Sequence, residues 1–245
     1  MNVTLEQIDK KKKLLDTRRP LETAHLKNIE DWFKVELTYS SNALEGNTLT
    51  KSETAIVIEK GLTVRGKSMV EHLEAKNLAY ALDFVKELAV TKSSLSLATI
   101  KELHALILKN IDDKHAGRWR TVHVKVAGSD VTFPAPEKLI DKTEQFEQWL
   151  TTSQEHPVKK AADAHFKFVT IHPFIDGNGR TARLLMNLIL IQHGYPPAII
   201  DPKDRADYID ALEKGQKEGT LTPFYNVIYQ AVDKSLDIYL QMTQS

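Results

Sequence analysis

Apolar side chains recur every three or four positions along most of the chain, which is the spacing of amphipathic helices. The first such helix is predicted to start at Pro20 and to stop at Gly46. Residues that cap helix N-termini mark later starts at Thr50, Ser68 and Ser96. The helices that start at these three residues are predicted to end near Gly61, Leu88 and Ile111. Another is predicted around Phe146, Trp149 and Leu150, and further helices are predicted over 157–171, 203–217 and 222–242. The very apolar stretch LLMNLILIQHG, which closes at Gly194, is predicted to form one more. The chain is therefore predicted to be mainly helical, of the all-α class.

Residues 121–136, TVHVKVAGSDVTFPAP, break this rhythm. Valine alternates with other residues up to a turn at 128–130, and the alternation resumes at Val131 and Phe133, which is the pattern of a two-stranded hairpin. An isolated hairpin is marginally stable in water, so it must pack on the helices or on a ligand. The sequence predicts one β-hairpin within a helical domain.

Composition limits the function classes. Lysine plus arginine and aspartate plus glutamate both number 33, so the formal net charge is +0, without the basic excess of a general nucleic-acid binder. No cysteine occurs, which excludes disulfides and thiolate metal sites. No apolar run has the length of a signal-peptide core or a bilayer span, so no membrane association is expected and a cytoplasmic location is the default. The polar first nineteen residues, with DKKKK and TRR, are typical of a solvated helix or arm.

The stretch from His172 to Arg183, HPFIDGNGRTAR, concentrates groups that a packed core does not need. A residue before proline is disfavoured in a helix, so the incoming helix is predicted to end near His172, with the imidazole at the junction. Gly177 and Gly179 allow a tight turn whose N–H groups can converge on an anion. The next helix is predicted to begin near Gly179 and to direct the positive end of its dipole into the loop.

Two arginines in that first helical turn strengthen the prediction of an anion site. Cations there oppose the helix dipole at a cost of a few tenths to about 1 kcal/mol each, which an anion bound between Arg180 and Arg183 would offset. Asp176 adds a hard oxygen ligand suited to Mg²⁺ that bridges phosphates. His172, with a pKa expected near neutral, is a candidate general base. Together these residues predict a site for a polyphosphate and its metal.

Taken singly, each of these residues also has a structural interpretation. A histidine before proline is usually structural, a Gly-x-Gly is weak evidence, and most arginines pair with carboxylates. A zinc site on His172 and Asp176 would need them one helical turn apart, which Pro173 disfavours. His165 is expected to be a packed residue. Only the combination favours a functional site.

The same twelve residues resemble the signature of Fic-domain proteins, His-Pro-Phe-x-Asp/Glu-Gly-Asn-Gly/Lys-Arg-x-x-Arg, at every defined position. The resemblance extends from about Leu37 to Tyr229 and includes AGRWR before the hairpin and NLILIQHGYPP after the motif. It implies a Fic fold of about eight helices with one β-hairpin flap. The implied Fic domain covers residues 37–232, between an N-terminal helical extension at 1–36 and the end of the C-terminal helix at 233–245.

The resemblance also implies an enzyme that transfers AMP from ATP, with Mg²⁺, to a Ser, Thr or Tyr hydroxyl of a protein target. Modification of the chain itself and a homodimer, with apolar residues near Met69 as its surface, are further implications. The resemblance implies that His172 is the general base and that Asp176 is the magnesium ligand. It implies an anion hole formed by Gly177, Asn178 and Gly179, with Arg180 orienting the phosphates and Arg183 binding the γ-phosphate. The implied adenine contacts are Tyr208 and Gln216, and the flap residues implied to dock the target by strand addition are Val131, Thr132, Phe133 and Pro134. Gln216 departs from the asparagine of metazoan members.

A second stretch, YSSNALEGNTLT, places Ser41 and Glu45 four residues apart just before Gly46. By itself this is typical of a capped helix end with a solvated glutamate. In the Fic family, however, it resembles the inhibitory motif Ser/Thr-x-x-x-Glu-Gly/Asn, of the class whose inhibitory helix precedes the catalytic motif in the same chain. The resemblance implies a bidentate pair between Glu45 and Arg183 when no γ-phosphate is bound.

Three interpretations stay open. The first is an autoinhibited protein adenylyltransferase. The second is an enzyme that removes AMP, or a transferase that uses another phosphate-containing donor. The third is a helical interaction module whose anion site binds a phosphorylated partner, although anion binding alone requires neither a base at His172 nor a metal ligand at Asp176.

Overall fold

The computed structural model describes residues 3–243, and within this range it contains ten α-helices. They are α1 (Leu5–Asp16), α2 (Thr23–Leu44), α3 (Lys51–Ala55), α4 (Met69–Val90), α5 (Leu97–Leu108), α6 (Leu139–Thr152), α7 (Pro157–Ile171), α8 (Asn178–Gln192), α9 (Arg205–Glu218) and α10 (Thr222–Met242). A π-helical turn (Ile56–Lys60) extends α3, and 3₁₀ turns (Pro136–Lys138, Pro202–Asp204) precede α6 and α9. The prediction of a mainly helical protein is confirmed. In the described part of the chain, no helix is both long and apolar enough to cross a bilayer.

Local signals in the sequence account for several helix ends. The hydroxyls of Thr50 and Ser68 each accept the backbone N–H three residues on, and the glutamate at that position bonds back to the cap. Pro157 occupies the first turn of α7, where a missing N–H costs nothing. That helix ends at Ile171 because His172 adopts a left-handed conformation with φ 50°.

α8 is the interior helix of the molecule. Every residue from 180 to 190 is buried, and the helix packs against α7, α4 and α5. A helix that is apolar on nearly all sides belongs in the core. Its N-terminus, which carries the arginines of the motif, is therefore fixed by packing on three helices.

α1 is docked on the protein, which corrects the expectation of a solvated arm. Ile8 and Leu15 are fully buried, and the helix packs along α10. The Nζ atom of Lys11 lies 2.7 Å from carboxylates of both Asp233 and Asp237. Arg18 donates to the carbonyl of Leu240 in the last turn of α10, which also accepts a long hydrogen bond of 3.5 Å from the Thr243 hydroxyl. The basic residues at the N-terminus thus bind an acidic helix face.

The predicted β-hairpin is wrong, because the structure assigns no strand to residues 118–135. The chain does reverse there, with a hydrogen bond from Ser129 N to Val126 O of 3.1 Å, but no ladder of backbone bonds joins the two arms. Val122 and Val126 are 52% and 43% exposed, so the alternating apolar residues do not build a buried face. Without such a face two paired strands are not stable in water. The excursion is an irregular flap, defined here as residues 121–134.

Candidate active site

The site is built around the junction between α7 and α8. His172 ends α7, and Gly177, with φ 75°, begins α8 in a backbone conformation that favours glycine. The side chain of Asn178 spans the loop between them, because its Oδ1 accepts from Phe174 N at 3.0 Å and its Nδ2 donates to Phe174 O at 2.9 Å. The loop is therefore braced at both ends, with the amides of the α8 N-terminus directed at it.

His172 is a neutral imidazole held for proton acceptance. Its Nδ1 lies 3.2 Å from the carbonyl of Val169, so Nδ1 carries the proton and Nε2 is left as the acceptor. Burial is the main cause that lowers the pKa of His172 to about 4, against the smaller opposite effect of the Val169 bond. The expectation of an unperturbed pKa for His172 is thus wrong, and the lowered pKa keeps the imidazole unprotonated at neutral pH.

Arg183 is buried and is held by the C-terminal end of α2. Its Nε donates to Ser41 Oγ at 2.8 Å, and its Nη2 donates to Ser41 O at 2.9 Å and to Glu45 Oε1 at 2.6 Å. The two inhibitory-motif residues therefore do meet the last arginine of HPFIDGNGRTAR. The contact with Glu45 uses one carboxylate oxygen and one guanidinium nitrogen rather than the expected bidentate pair, because Ser41 takes the Nε side.

The Glu45 carboxylate lies in front of the α8 N-terminus. A Cβ atom on Gly179 would collide with Glu45 Oε1, so the carboxylate fills the space that a side chain at 179 would take. Burial by itself would raise the pKa of the Glu45 carboxyl, but Arg183, with two other arginines, outweighs it and lowers the pKa below its ordinary value. The side chain is still 38% exposed, so the anion sits at the mouth of the site. Glu45 is a negative group in a place suited to a phosphate.

Arg180 is held by two carboxylates. Its Nη1 lies 2.9 Å from Glu74 Oε1, and its Nη2 lies 3.2 Å from Asp176 Oδ2. Its Nε is buried and has no partner within residues 3–243. Asp176 is 69% exposed, whereas Arg180 is nearly enclosed. The two carboxylates therefore fix the guanidinium in place, while its Nε–H stays without a partner within residues 3–243.

Asp176 fits a magnesium ion that comes with a nucleotide. Among the described residues, no group of three or more histidine, aspartate or glutamate side chains is arranged to hold a metal. Mg²⁺ in nucleotide sites takes one or two carboxylates and completes its shell with phosphate oxygens and water. A single exposed carboxylate beside an anion site matches that ligand set.

A cavity of about 170 Å³ adjoins His172 and Arg183. Its walls include the predicted residues Glu45, Phe133, His172, Gly179, Arg183, Tyr208 and Gln216, and the unpredicted residues Leu44, Val126, Ser129, Val169, Arg205, Ile209, Leu212 and Glu213. Asp176, Gly177, Asn178 and Arg180 lie beside it around the α8 N-terminus, and Val131, Thr132 and Pro134 belong to the flap without lining it. Pockets for small ligands usually exceed about 300 Å³, so the cavity is small for a nucleoside triphosphate while Glu45 lies at its polar end.

The far end of the cavity is apolar and closed by α9. Tyr208 is buried, and its hydroxyl lies 2.8 Å from His165 Nε2. Burial lowers the pKa of His165 to about 3, which confirms it as a packed, neutral residue. Gln216 Nε2 donates weakly to Thr170 Oγ1 at 3.4 Å, which leaves its amide oxygen for other partners.

Three basic side chains without a predicted role also help to position the site. Arg205 donates from Nε to Leu44 O at 2.8 Å and so caps the end of α2 next to Glu45. His104 Nε2 lies 2.9 Å from Asp176 O, and its ring stacks on Phe174 at 3.4 Å between centroids. Arg120 binds the carbonyl of His172. No local motif marks Arg205 or His104, whereas Arg120 ends the AGRWR stretch, which is part of the family resemblance.

Comparison with known proteins gives the family. The Fic/DOC family model matches residues 94–190. The protein adenylyltransferase Fic of Nematostella vectensis is 40% identical over 233 residues, which cover 94% of this chain and 52% of the relative. The structure of Fic-1 from C. elegans superposes with a TM-score of 0.87 at 32% identity and covers 96% of this chain and 71% of the other. The chain belongs to the Fic/DOC family.

A bacterial relative shows that the similarity covers almost the whole chain. The crystal structure of a Fic-domain-containing signalling protein from Bacteroides thetaiotaomicron has a TM-score of 0.88 at 29% identity, with 97% of this chain and 96% of the other superposed. The Fic fold is thereby confirmed, apart from the irregular flap. The chain spans about half the length of the curated relatives it matches.

Proposed function

We propose that this Fic protein is an autoinhibited protein adenylyltransferase, which transfers AMP from ATP to a Ser, Thr or Tyr hydroxyl of a protein target. The observation that carries the proposal is the pairing of Glu45 with Arg183 directly in front of the α8 N-terminus. A carboxylate there occupies the arginine that a γ-phosphate needs. The names of the curated relatives, protein adenylyltransferase Fic, support the same reaction.

The proposed reaction uses the residues as the geometry presents them. His172 Nε2 accepts the hydroxyl proton while the hydroxyl oxygen bonds to the α-phosphorus of ATP, and pyrophosphate leaves with the electrons of the broken P–O bond. The α8 N-terminal amides stabilise the negative charge that develops on the phosphate oxygens. Asp176 would hold Mg²⁺, which neutralises phosphate charge when bound. Arg180 and Arg183 orient the leaving phosphates once Glu45 has been displaced.

Labelled ATP tests this proposal. Wild type, Glu45→Gly and the double variant Glu45→Gly/His172→Ala are incubated with Mg²⁺ and ATP labelled at the α-phosphate, alone and with cell lysate. We expect strong protein labelling by Glu45→Gly, weak labelling by wild type and none by the double variant. Absence of label in every variant would reject AMP transfer to those proteins, and magnesium-independent nucleotide binding would then favour an anion-binding interaction module.

Removal of AMP by the same site is a second candidate. It is favoured by the position of Glu45, which lines one cavity with His172 and carries its charge there at neutral pH. In this role Glu45 would orient a water molecule towards the phosphorus of a bound AMP-protein. Proteins labelled by Glu45→Gly are purified and incubated with wild type. Release of labelled AMP by wild type but not by Glu45→Gly would support this activity, and label that stays on the proteins would reject it.

Two further properties are proposed for the same protein. Leu62, Met69 and Val70 are 59%, 66% and 48% exposed, and this apolar group before and at the start of α4 supports a homodimer. Sedimentation equilibrium of wild type and Met69→Asp tests it, since only the wild type should dimerise. Label on the chain itself in the experiment above would establish self-modification.

A further inference from the structure

Arg120 is a buried arginine whose partners are all main-chain carbonyls. Its Nε donates to His172 O at 2.8 Å, its Nη1 to Val122 O at 2.8 Å and its Nη2 to Pro134 O at 2.6 Å. Its own backbone N–H donates to Pro173 O at 2.9 Å. The residue is only 3% exposed, and no carboxylate lies within ion-pairing distance of it among residues 3–243. Burial without a counter-charge lowers the pKa of this guanidinium.

A buried arginine without a carboxylate is costly to the fold. A packed apolar residue would be cheaper at a purely structural position. What the planar guanidinium provides is a rigid set of donors that can bind several carbonyls in fixed directions. The three carbonyls that it binds belong to three separate points of the chain.

Those three points are the two ends of the flap and the catalytic histidine. Val122 begins the outgoing arm, Pro134 ends the returning arm, and His172 lies at the end of α7. The flap has no strand ladder, so little else in the described backbone ties its arms together. Phe133, next to Pro134, places its ring 4.1 Å from the His172 imidazole, between centroids. A shift of the returning arm therefore moves a group that touches the base.

We propose that Arg120 is a positioning residue that holds both flap ends and the His172 backbone as one unit, so that a protein hydroxyl docked on the flap meets the imidazole in register. The inference rests on the proposed AMP transfer. Arg120 touches none of the groups proposed to bind phosphate. Its loss should therefore slow the transfer of AMP to protein and leave the affinity for ATP unchanged. Misplacement by about 1 Å can reduce a rate by roughly 10²-fold, which sets the scale expected for complete loss of the clamp.

The test compares Arg120→Lys and Arg120→Ala in the Glu45→Gly background. Arg118→Ala is the matched control, since Arg118 lies two residues away in the same AGRWR stretch with an exposed side chain. Three quantities are measured for each: ATP affinity by calorimetry, transfer of labelled AMP to lysate proteins, and hydrogen exchange of the amides in residues 121–134. Free guanidinium ion at low millimolar concentration is then added to each variant.

We expect ATP affinity to stay within about twofold of the background, AMP transfer to fall at least tenfold in Arg120→Lys and about 100-fold in Arg120→Ala, and flap exchange to accelerate in both. Guanidinium should restore part of the transfer and of the protection in Arg120→Ala, and should change nothing in Arg118→Ala. Rescue of this kind separates a lost clamp from a generally weakened fold.

Several outcomes would overturn the inference. ATP affinity that falls in parallel with transfer would assign Arg120 to the nucleotide site, and failure of both variants to fold would assign it to the core. Unchanged flap exchange would show that the arms are held by other contacts. If the Glu45→Gly background itself labels no protein, the proposed function has failed, and the exchange and rescue measurements still decide whether the clamp exists.

Discussion

Removal of the Glu45 carboxylate is expected to increase the affinity for ATP about 10- to 30-fold and to leave the affinity for ADP unchanged. The carboxylate holds Arg183 through one charge-assisted hydrogen bond of 2.6 Å. ATP must break that bond for its γ-phosphate to reach the arginine. ADP has no γ-phosphate and so does not compete for the same group.

The magnitude follows from the burial of the pair. A hydrogen bond to a charged group contributes about 1.5–3 kcal/mol. Glu45 is 38% exposed although Arg183 is almost enclosed, so solvent screening favours the lower part of that range. About 1.5–2 kcal/mol, at roughly 1.36 kcal/mol for each factor of ten, corresponds to about 10- to 30-fold. Correct placement of the phosphates should raise the rate of AMP transfer by more than this.

Calorimetric titration with ATP and ADP measures the effect directly. All proteins carry His172→Ala so that ATP is not consumed. Glu45→Gly and Glu45→Gln are compared, since glutamine keeps the volume of the side chain and loses its charge. Glu22→Gln, at the opposite end of α2 with an exposed side chain, is the control. Equal gains for ATP and ADP, or no gain for either, would refute competition for Arg183, and a gain in Glu45→Gly alone would show that bulk rather than charge blocks the site.

Three further predictions concern stability and the anion hole. Burial lowers the pKa of His165 to about 3, so below about pH 6.5 the unfolded state binds a proton that the folded state does not, and the free energy of unfolding falls. His165→Gln should therefore reduce, by about 2 kcal/mol, the decrease in the free energy of unfolding between pH 7.5 and pH 5. Urea unfolding at the two pH values measures this, and an unchanged pH dependence would contradict it. Gly179→Ala should weaken ATP binding even in the Glu45→Gly background, since the added methyl group takes the space of the Glu45 carboxylate. Calorimetric titration with ATP measures this, and an unchanged affinity would contradict it. Lys11→Met should lower the free energy of unfolding by about 1 kcal/mol or less, because it removes the ion pairs that dock α1, and by still less in about 0.5 M salt. Thermal unfolding measures this, and a destabilisation that does not depend on salt would contradict it.

Helix positions and the chemical character of residues 172–183 were predictable because their causes are local. A hydroxyl followed three residues later by a glutamate is a local signal for a helix start, as at Thr50 and Ser68. Pro173 ends α7 and glycine starts α8 through backbone sterics alone. The concentration of charged and flexible residues at 172–183 then predicted an anion site, although not the low pKa of His172, which depends on how deeply packing buries it.

The flap and α1 show where local signals fail. Alternating valines at 122–126 predict a strand, but a strand needs a paired neighbour and a face to bury. The returning arm of the flap forms no ladder with these residues, and Val122 and Val126 stay exposed. The basic residues of α1 are typical of a solvated segment, yet Lys11 lies against two aspartates more than two hundred residues later. No pattern within a segment identifies its distant partner.

The sequence by itself determined the helices, their ends and the chemical groups at the α7–α8 junction, because capping, periodicity and proline geometry act over a few residues. Only the tertiary structure decided which groups meet. The Ser41–Arg183 bond joins residues 142 positions apart, and Arg120 joins the flap to His172, which lies 52 positions further along the chain. Such contacts form when several helices pack around the buried α8. The free energy that favours this arrangement comes from burial of the whole core rather than from the pairs of residues that touch.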